Sequence, residues 1–228
     1  MIYSKDNNFL LLKNIKVGGT SVEVALSQVV PDNAIVTPIY PNNLNHKPKN
    51  YEKLLKHSSY ADISHLSYKE ISKCIDLSNA KTYTIIRNPY DMVLSTFFWF
   101  LKIIKIDWNS LNKEQKQKHV DSLFIDYKNT KDEDIFPMPK FSRLQSTKYL
   151  YTFNEKVMID KFIRYEDGLE NQINSILESH NIPKINLNVF EKQHRPKDIH
   201  PSNIFSDDQM NIIAQEWKWE FDNLGYNK

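Results

Sequence analysis

Six consecutive residues, Lys16-Val17-Gly18-Gly19-Thr20-Ser21, put an ammonium, a glycine pair and two hydroxyls into one short stretch. The chain has four glycines, so two side by side ask for a backbone reason. Such a stretch can hold an oxyanion on amides freed by the glycines and on the positive end of a following helix, with Lys16 reaching it from the loop. It can equally be a tight turn that needs a positive φ and nothing more. The nucleotide loop G-x-x-x-x-G-K-S/T is absent, because the lysine here precedes the glycines, and so is G-x-G-x-x-G. A second stretch, "IIRNPYDMVLSTF", carries Arg87, Asn88, Asp91 and Ser95. An arginine fork and a serine hydroxyl could hold a second phosphate. The plainer alternatives are an ion pair of Arg87 with Asp91 and a small-residue helix contact at Ser95.

Positioning these groups requires a strand, a turn and a helix in succession, and the chain repeats that pattern three times. "FLLL" (9–12) predicts a strand, a turn over 13–19 and a helix over 20–29, where Thr20 and Glu23 form a capping-box pattern. "TYTII" (82–86) leads through "RNP" to a helix over 89–105, with Asn88 as cap and Pro89 at its first position. That helix puts Asn88, Asp91 and Ser95 on one face. "VMIDKFI" (157–163) leads through "RYED" to a helix over 167–180. A last helix is expected over 207–223, capped by Ser206. Strand–helix repetition predicts an α/β fold with a central parallel sheet flanked by helices, whose ligands bind beyond the strand C-termini. One domain over 1–228 is expected, with insertions at about 31–57 and 107–145 shaping the acceptor side.

Composition narrows the classes. A net charge of +2 without a basic-aromatic pattern argues against a nucleic-acid partner. The single cysteine, Cys74, excludes an intramolecular disulfide and a cysteine-based zinc site. No apolar run reaches about 18 residues, so no membrane span is expected. No signal-peptide pattern opens the sequence, and a soluble cytoplasmic protein is the expectation. Of 30 basic side chains only four are arginine, Arg87, Arg143, Arg164 and Arg195, so each arginine stands out where lysine was otherwise acceptable.

"IKVGGTS" resembles the P-K-T-G-G-T-S loop of sulfotransferases that use 3′-phosphoadenosine 5′-phosphosulfate. "IIRNPYDMVLSTF" resembles their second motif, R-N/D-P-Y/W-D-x-x-x-S, in which the serine comes four residues after the aspartate. The order and spacing of the two agree with the family. "KHSSYADI" (56–63) is similar to a K-H-x-x-A segment of the carbohydrate sulfotransferase branch. "RLQSTKYL" (143–150), "KFIRYEDGLENQI" (161–173) and "EFDNLGY" (220–226) resemble later stretches, so the likeness spans roughly 9–226. Ile15 and Val17 depart from the family's proline and threonine, and Val17 removes one hydroxyl contact.

The resemblance implies a three-layer P-loop-like fold and sulfuryl transfer to an acceptor hydroxyl, on a carbohydrate, without a metal. It assigns Lys16 to the bridging and 5′-phosphate oxygens, the loop Val17-Gly18-Gly19-Thr20-Ser21 to the 5′-phosphate, and Arg87 with Ser95 to the 3′-phosphate. Arg195 is a further donor-phosphate contact, and His57 is the general base. His65 is the next histidine considered, Glu166 reads as a helix-start residue, and Arg143 and Arg164 read as structural. The competing readings are a P-loop kinase or ATPase, for which Asp160 would have to serve magnesium, and a non-catalytic protein keeping the fold. The basic run at 46–57 could greet an anionic glycan; a solvated lysine-rich face is the alternative.

Overall fold

The computed structural model describes residues 1–39, 43, 45–56, 63–124, 146–187, 195–196 and 198–228. The apolar segments at the start of the chain, β1 (Ile2–Ser4) and β2 (Phe9–Leu12), form an antiparallel hairpin. The link Lys5–Asn8 is too short for a crossover, so the chain must reverse. Asn8 takes a φ of 50°, and its N–H donates to Lys5 O at 3.0 Å to close the turn. After α1 (Gly19–Val29), β3 (Ile35–Val36) pairs antiparallel with the other side of β1. Val36 also exchanges both backbone hydrogen bonds with Lys49, at 2.8 and 3.0 Å.

The short helix α2 (Tyr68–Ser72) starts at a capping box of Ser67 and Glu70. Beyond it, β4 (Lys81–Ile86) lies parallel to β2, with Leu12 opposite Thr84. Later in the chain come α5 (Lys148–Tyr151), the hairpin β5 (Thr152–Phe153) and β6 (Lys156–Val157), β7 (Lys161–Arg164), and α6 (Leu169–Ser179). Strand β7 lies parallel to β4, with Ile86 opposite Arg164. The sheet order is β3-β1-β2-β4-β7. The fold is mixed α/β. The three strands predicted from strand–turn–helix patterns form the parallel part. The sheet as a whole is mixed, because the hairpin adds β1 and β3 in the opposite sense. The apolar core of this region joins Met1, Leu10, Leu12, Leu54, Ile63 and Ile71, all buried.

At the free edge of β7, the Gln172 side-chain amide accepts from Arg164 N at 3.2 Å and donates to Arg164 O at 2.8 Å. Asp160 does not lie inside a strand. It precedes β7, accepting from Thr82 N at 2.8 Å and pairing with Lys81 at 2.9 Å.

The chain divides into two compact units, Met1–Arg87 with Thr147–Glu191, and Asn88–Ser146 with Lys192–Lys228. The first carries the sheet, α1, α2, α5 and α6. The described secondary structure of the second is helical: α3 (Pro89–Ile103), α4 (Lys113–Asp121), α7 (Asp207–Glu216) and α8 (Lys218–Leu224). Asn88 caps α3 by accepting from Tyr90 N at 3.0 Å, with Pro89 at the first position, as the sequence predicts. Ser206 caps α7 through a capping box with Gln209.

The single helix expected over 207–223 breaks at Trp217. The break re-aims α8 so that buried Glu220 accepts from Ser146 Oγ at 2.8 Å and Phe221 meets the Tyr90 ring at 5.0 Å. Among the described residues, no helix is long and apolar enough to cross a membrane.

Candidate functional site

Parallel β2, β4 and β7 all end on one side of the sheet, so the loops 13–18 and 165–168 and the residue Arg87 gather there. The first loop is fixed at nearly every residue. Lys13 is buried and pairs with the Glu23 carboxylate on α1. Buried Asn14 donates from Nδ2 to Ile85 O at 3.3 Å, while its Oδ1 accepts from Ile15 N at 2.6 Å. Arg87 Nη1 donates to Lys16 O at 3.0 Å, and its guanidinium lies 4.2 Å above the Tyr165 ring.

Backbone sign alternates along this loop. Lys16 has a φ of 56° and Gly18 one of 77°, while Val17 and Gly19 between and after them are ordinary. Left-handed backbone at alternate residues is the kind of turn that can direct successive N–H groups toward one concavity, as in an anion nest. Helix α1 begins directly behind it. Its N-cap is Gly18, with no side-chain cap hydrogen bond and no acidic residue in the first turn. The capping box expected from Thr20 and Glu23 is therefore not formed: Glu23 turns into the protein instead, where Lys13 and the Met1 ammonium hold it. The helix start is left with its positive end aimed past the glycines.

The two glycines differ. A Cβ at Gly18 would lie 3.1 Å from Tyr165 Cε2 and 3.1 Å from Leu169 Cδ1, on top of its left-handed φ. A Cβ at Gly19 would meet only Lys13 Cγ at 3.4 Å, Asn14 O and Val17 Cγ2 at ordinary contact distances. Gly18 is thus required by the chain's own packing, and Gly19 is not. Thr20 is half-buried and Ser21 buried on the first turn of α1.

The first unit brings together Lys16, Val17, Gly18, Gly19, Thr20, Ser21 and Arg87. Ser95 belongs to the second unit, on α3, half-buried on the same less-buried stripe as Asn88, Asp91 and Trp99, whereas Phe97, Phe98 and Phe100 are core. Arg195, also in the second unit, pairs with the Asp91 carboxylate. His57 lies outside the described residues, as does Arg143. Arg164 pairs with Asp167 at 3.7 Å, and Glu166 sits exposed on the turn after β7.

The basic run at 46–57 does not present a uniform charged face. His46 is buried, its Nε2–H donating to Thr37 O at 2.8 Å, and Lys49 is tied to Val30 O and Asp32. Asp160 stands at the start of β7, at the sheet edge opposite the glycine loop, where it cannot serve a magnesium ion beside that loop. Among the described residues, no cluster of His, Cys, Asp and Glu could hold a metal ion. Tyr165 was not legible as a site residue from its type. Its signal is position, directly after the third parallel strand.

His65 is a loop anchor. Its Nδ1–H donates to Lys13 O at 3.3 Å. Burial, reinforced by the nearby Lys13 ammonium, pushes the imidazole down to about 4. The folded protein therefore binds this proton near pH 4 and the unfolded chain near 6.5, so stability falls as pH drops through that window. The loss is at most about 3 kcal/mol. For Glu23, burial alone would raise the carboxyl, but Lys13 and the Met1 ammonium outweigh it and hold it at about 2, so its contribution is lost only on further acidification below 4.5. Urea melts are expected to show the stability loss between pH 6.5 and 4.5. His65→Asn, which keeps an N–H for Lys13 O, should lessen it, leaving the part that His46 and His119, also lowered by burial, contribute in the same sense. An unchanged slope would remove His65 as its source.

No protein-family model matches the chain, and no curated protein matches it.

Proposed function

We propose that this chain is a sulfotransferase of P-loop-like α/β architecture. Its donor would be 3′-phosphoadenosine 5′-phosphosulfate, and its acceptor a hydroxyl group, with a carbohydrate as the substrate class. The observation that carries the reading is the loop from Lys16 to Gly18: left-handed backbone at alternate residues, feeding a helix whose N-terminus has no side-chain cap. That arrangement suits a phosphate group held by backbone amides. Arg87 adds a planar cation already oriented by Lys16 O and Tyr165, suited to an oxyanion partner. The assignments of Ser95, Arg195 and His57 rest on the sequence motifs alone.

In this reading the donor supplies an activated sulfuryl group on a phosphate leaving group. Lys16 neutralises the charge that grows on the bridging oxygen as the sulfur–oxygen bond breaks. The Gly18–Ser21 amides and hydroxyls keep the 5′-phosphate fixed. Arg87 reads the 3′-phosphate, which separates this donor from other adenine nucleotides. His57 takes the acceptor proton as the new sulfur–oxygen bond forms. Asp160, the residue that would serve magnesium in the kinase reading, stands at the start of β7, away from the loop.

Thermal denaturation tests the proposal. 3′-Phosphoadenosine 5′-phosphate should raise Tm, at ligand concentrations where ADP and ATP with magnesium do not. A metal-dependent shift with ATP, and none with the bisphosphate, would sink it.

A further inference from the structure

Helix α1 begins with a loop whose shape is held from inside the protein, and one of those holds is charged. Lys13 and Glu23 are both buried, at 7 % and 1 % exposure, and pair with one another. Lys13 stands at the start of the loop and Glu23 on the second turn of α1, so the pair spans the glycine turn like a brace. Two more contacts converge on it: His65 Nδ1–H on Lys13 O, and the Met1 ammonium on the second Glu23 oxygen. The Met1 nitrogen also reaches Thr37 Oγ1 and Ser64 O.

A buried ion pair is a weak source of stability, because desolvation offsets the attraction. Two apolar side chains would fill the space at similar cost. What they would lack is a specific partner: the attraction between the Lys13 ammonium and the Glu23 carboxylate ties the start of the loop to α1, and apolar packing does not choose its partner in that way. Lys13 is also too deeply enclosed to serve an anion itself, with its charge met by Glu23.

We propose that the Lys13–Glu23 pair is a positioning device for the Lys16–Ser21 anion cradle: it sets the geometry of the loop without touching the ligand. The proposal rests on reading that loop as the donor-phosphate site. Its structural half, the bracing of the loop, does not.

The double variant Lys13→Met/Glu23→Leu separates stability from positioning. It removes both charges together, so the Lys13 ammonium is not left facing an apolar wall. The Met1 amine keeps Thr37 and Ser64 and can shed its proton, since burial has already brought it down to about 6. His180→Leu is the control. It breaks the Tyr83 Oη to His180 Nε2 bond of 2.7 Å and the His180 Nδ1 bond to Asn7 O of 2.7 Å, at the opposite edge of the sheet.

Two readouts are compared at matched folded fraction: amide hydrogen exchange across 13–22, and Kd for 3′-phosphoadenosine 5′-phosphate. The double variant should exchange faster across 13–22 and bind about ten- to a hundredfold more weakly. His180→Leu should change neither. If the double variant does not fold, the single variant Lys13→Arg, which keeps the charge but moves the donor geometry, should show the same two changes more mildly. Parental exchange and parental Kd in the braceless protein overturn the proposal. Faster exchange in a chain whose parent binds no bisphosphate keeps the brace and overturns the sulfotransferase reading instead.

Discussion

Lys16→Ala should cut turnover by about a hundred- to a thousandfold, the usual loss on removing one group that stabilises developing transition-state charge. Its effect on the Kd of 3′-phosphoadenosine 5′-phosphate should be smaller than its effect on turnover: the bridging oxygen stays on the 5′-phosphate when the sulfur–oxygen bond breaks, so Lys16 meets charge in the product as well as in the transition state. Arg87→Ala should do the reverse. A charge-assisted contact to a phosphate is worth about 1.5–3 kcal/mol, so affinity for the bisphosphate falls by about ten- to a hundredfold. Affinity for the 5′-monophosphate should fall less, since that ligand lacks the group Arg87 reads. Arg87 also holds Lys16 O, so some of its effect will reach the loop. The discriminating measurement is the ratio of the two affinities, which a general loosening of the loop would not change. Parental turnover and parental affinity in both variants would remove these residues from the reaction.

The neighbouring glycines should respond oppositely to alanine. At Gly18 a methyl group meets two separate costs. The left-handed φ of 77° penalises any Cβ by about 1–2 kcal/mol. The contacts at 3.1 Å with Tyr165 and Leu169 add overpacking of about 1–3 kcal/mol. Chemical denaturation of Gly18→Ala should therefore show a loss of about 3 kcal/mol, enough to threaten a domain of ordinary stability. Gly19→Ala has no such cost, as its φ is ordinary and its nearest foreign atom is the flexible Lys13 side chain at 3.4 Å. It should leave stability unchanged or slightly raised, as alanine favours helix over glycine. If an anion approaches the backbone there, the same variant should bind 3′-phosphoadenosine 5′-phosphate at least about tenfold more weakly, since a methyl group stands where close approach needs none. Full affinity in Gly19→Ala would mean that the ligand does not use this amide.

Much of the architecture could be read from local pattern. The run Phe9–Leu12 is strand as written, Lys81–Ile86 extends its prediction by one residue, and Asn88-Pro89 starts a helix where capping chemistry says it should. What escaped were features set by distant partners. Two-residue β3 has no periodicity to detect and exists because β1 offers it an edge. Thr20 and Glu23 have capping spacing, yet the buried Lys13 ammonium draws Glu23 away, a preference that no local window contains. Trp217 sits in an unbroken helical pattern without Gly or Pro, and only packing of Phe221 and Glu220 explains the bend. At the glycine loop the residue types were legible and the restraints were not. That Gly18 faces Tyr165, and that Arg87 grips Lys16 O, depends on three strands lying side by side.

Both ends of the sheet finish in borrowed hydrogen bonds, and this bears on how the chain behaves in a crowd of its own copies. An open strand edge is a template for pairing with another molecule. Strand β3 is two residues long, and Lys49 takes both backbone bonds of Val36. At the far side, the Gln172 amide acts as a single rung of ladder against Arg164. Each end is closed by a group from within the same unit, one main-chain and one side-chain. Gln172→Ala would reopen the β7 end, and a rise in concentration-dependent light scattering, with little change in the melting of dilute samples, is the behaviour that an unguarded strand should bring.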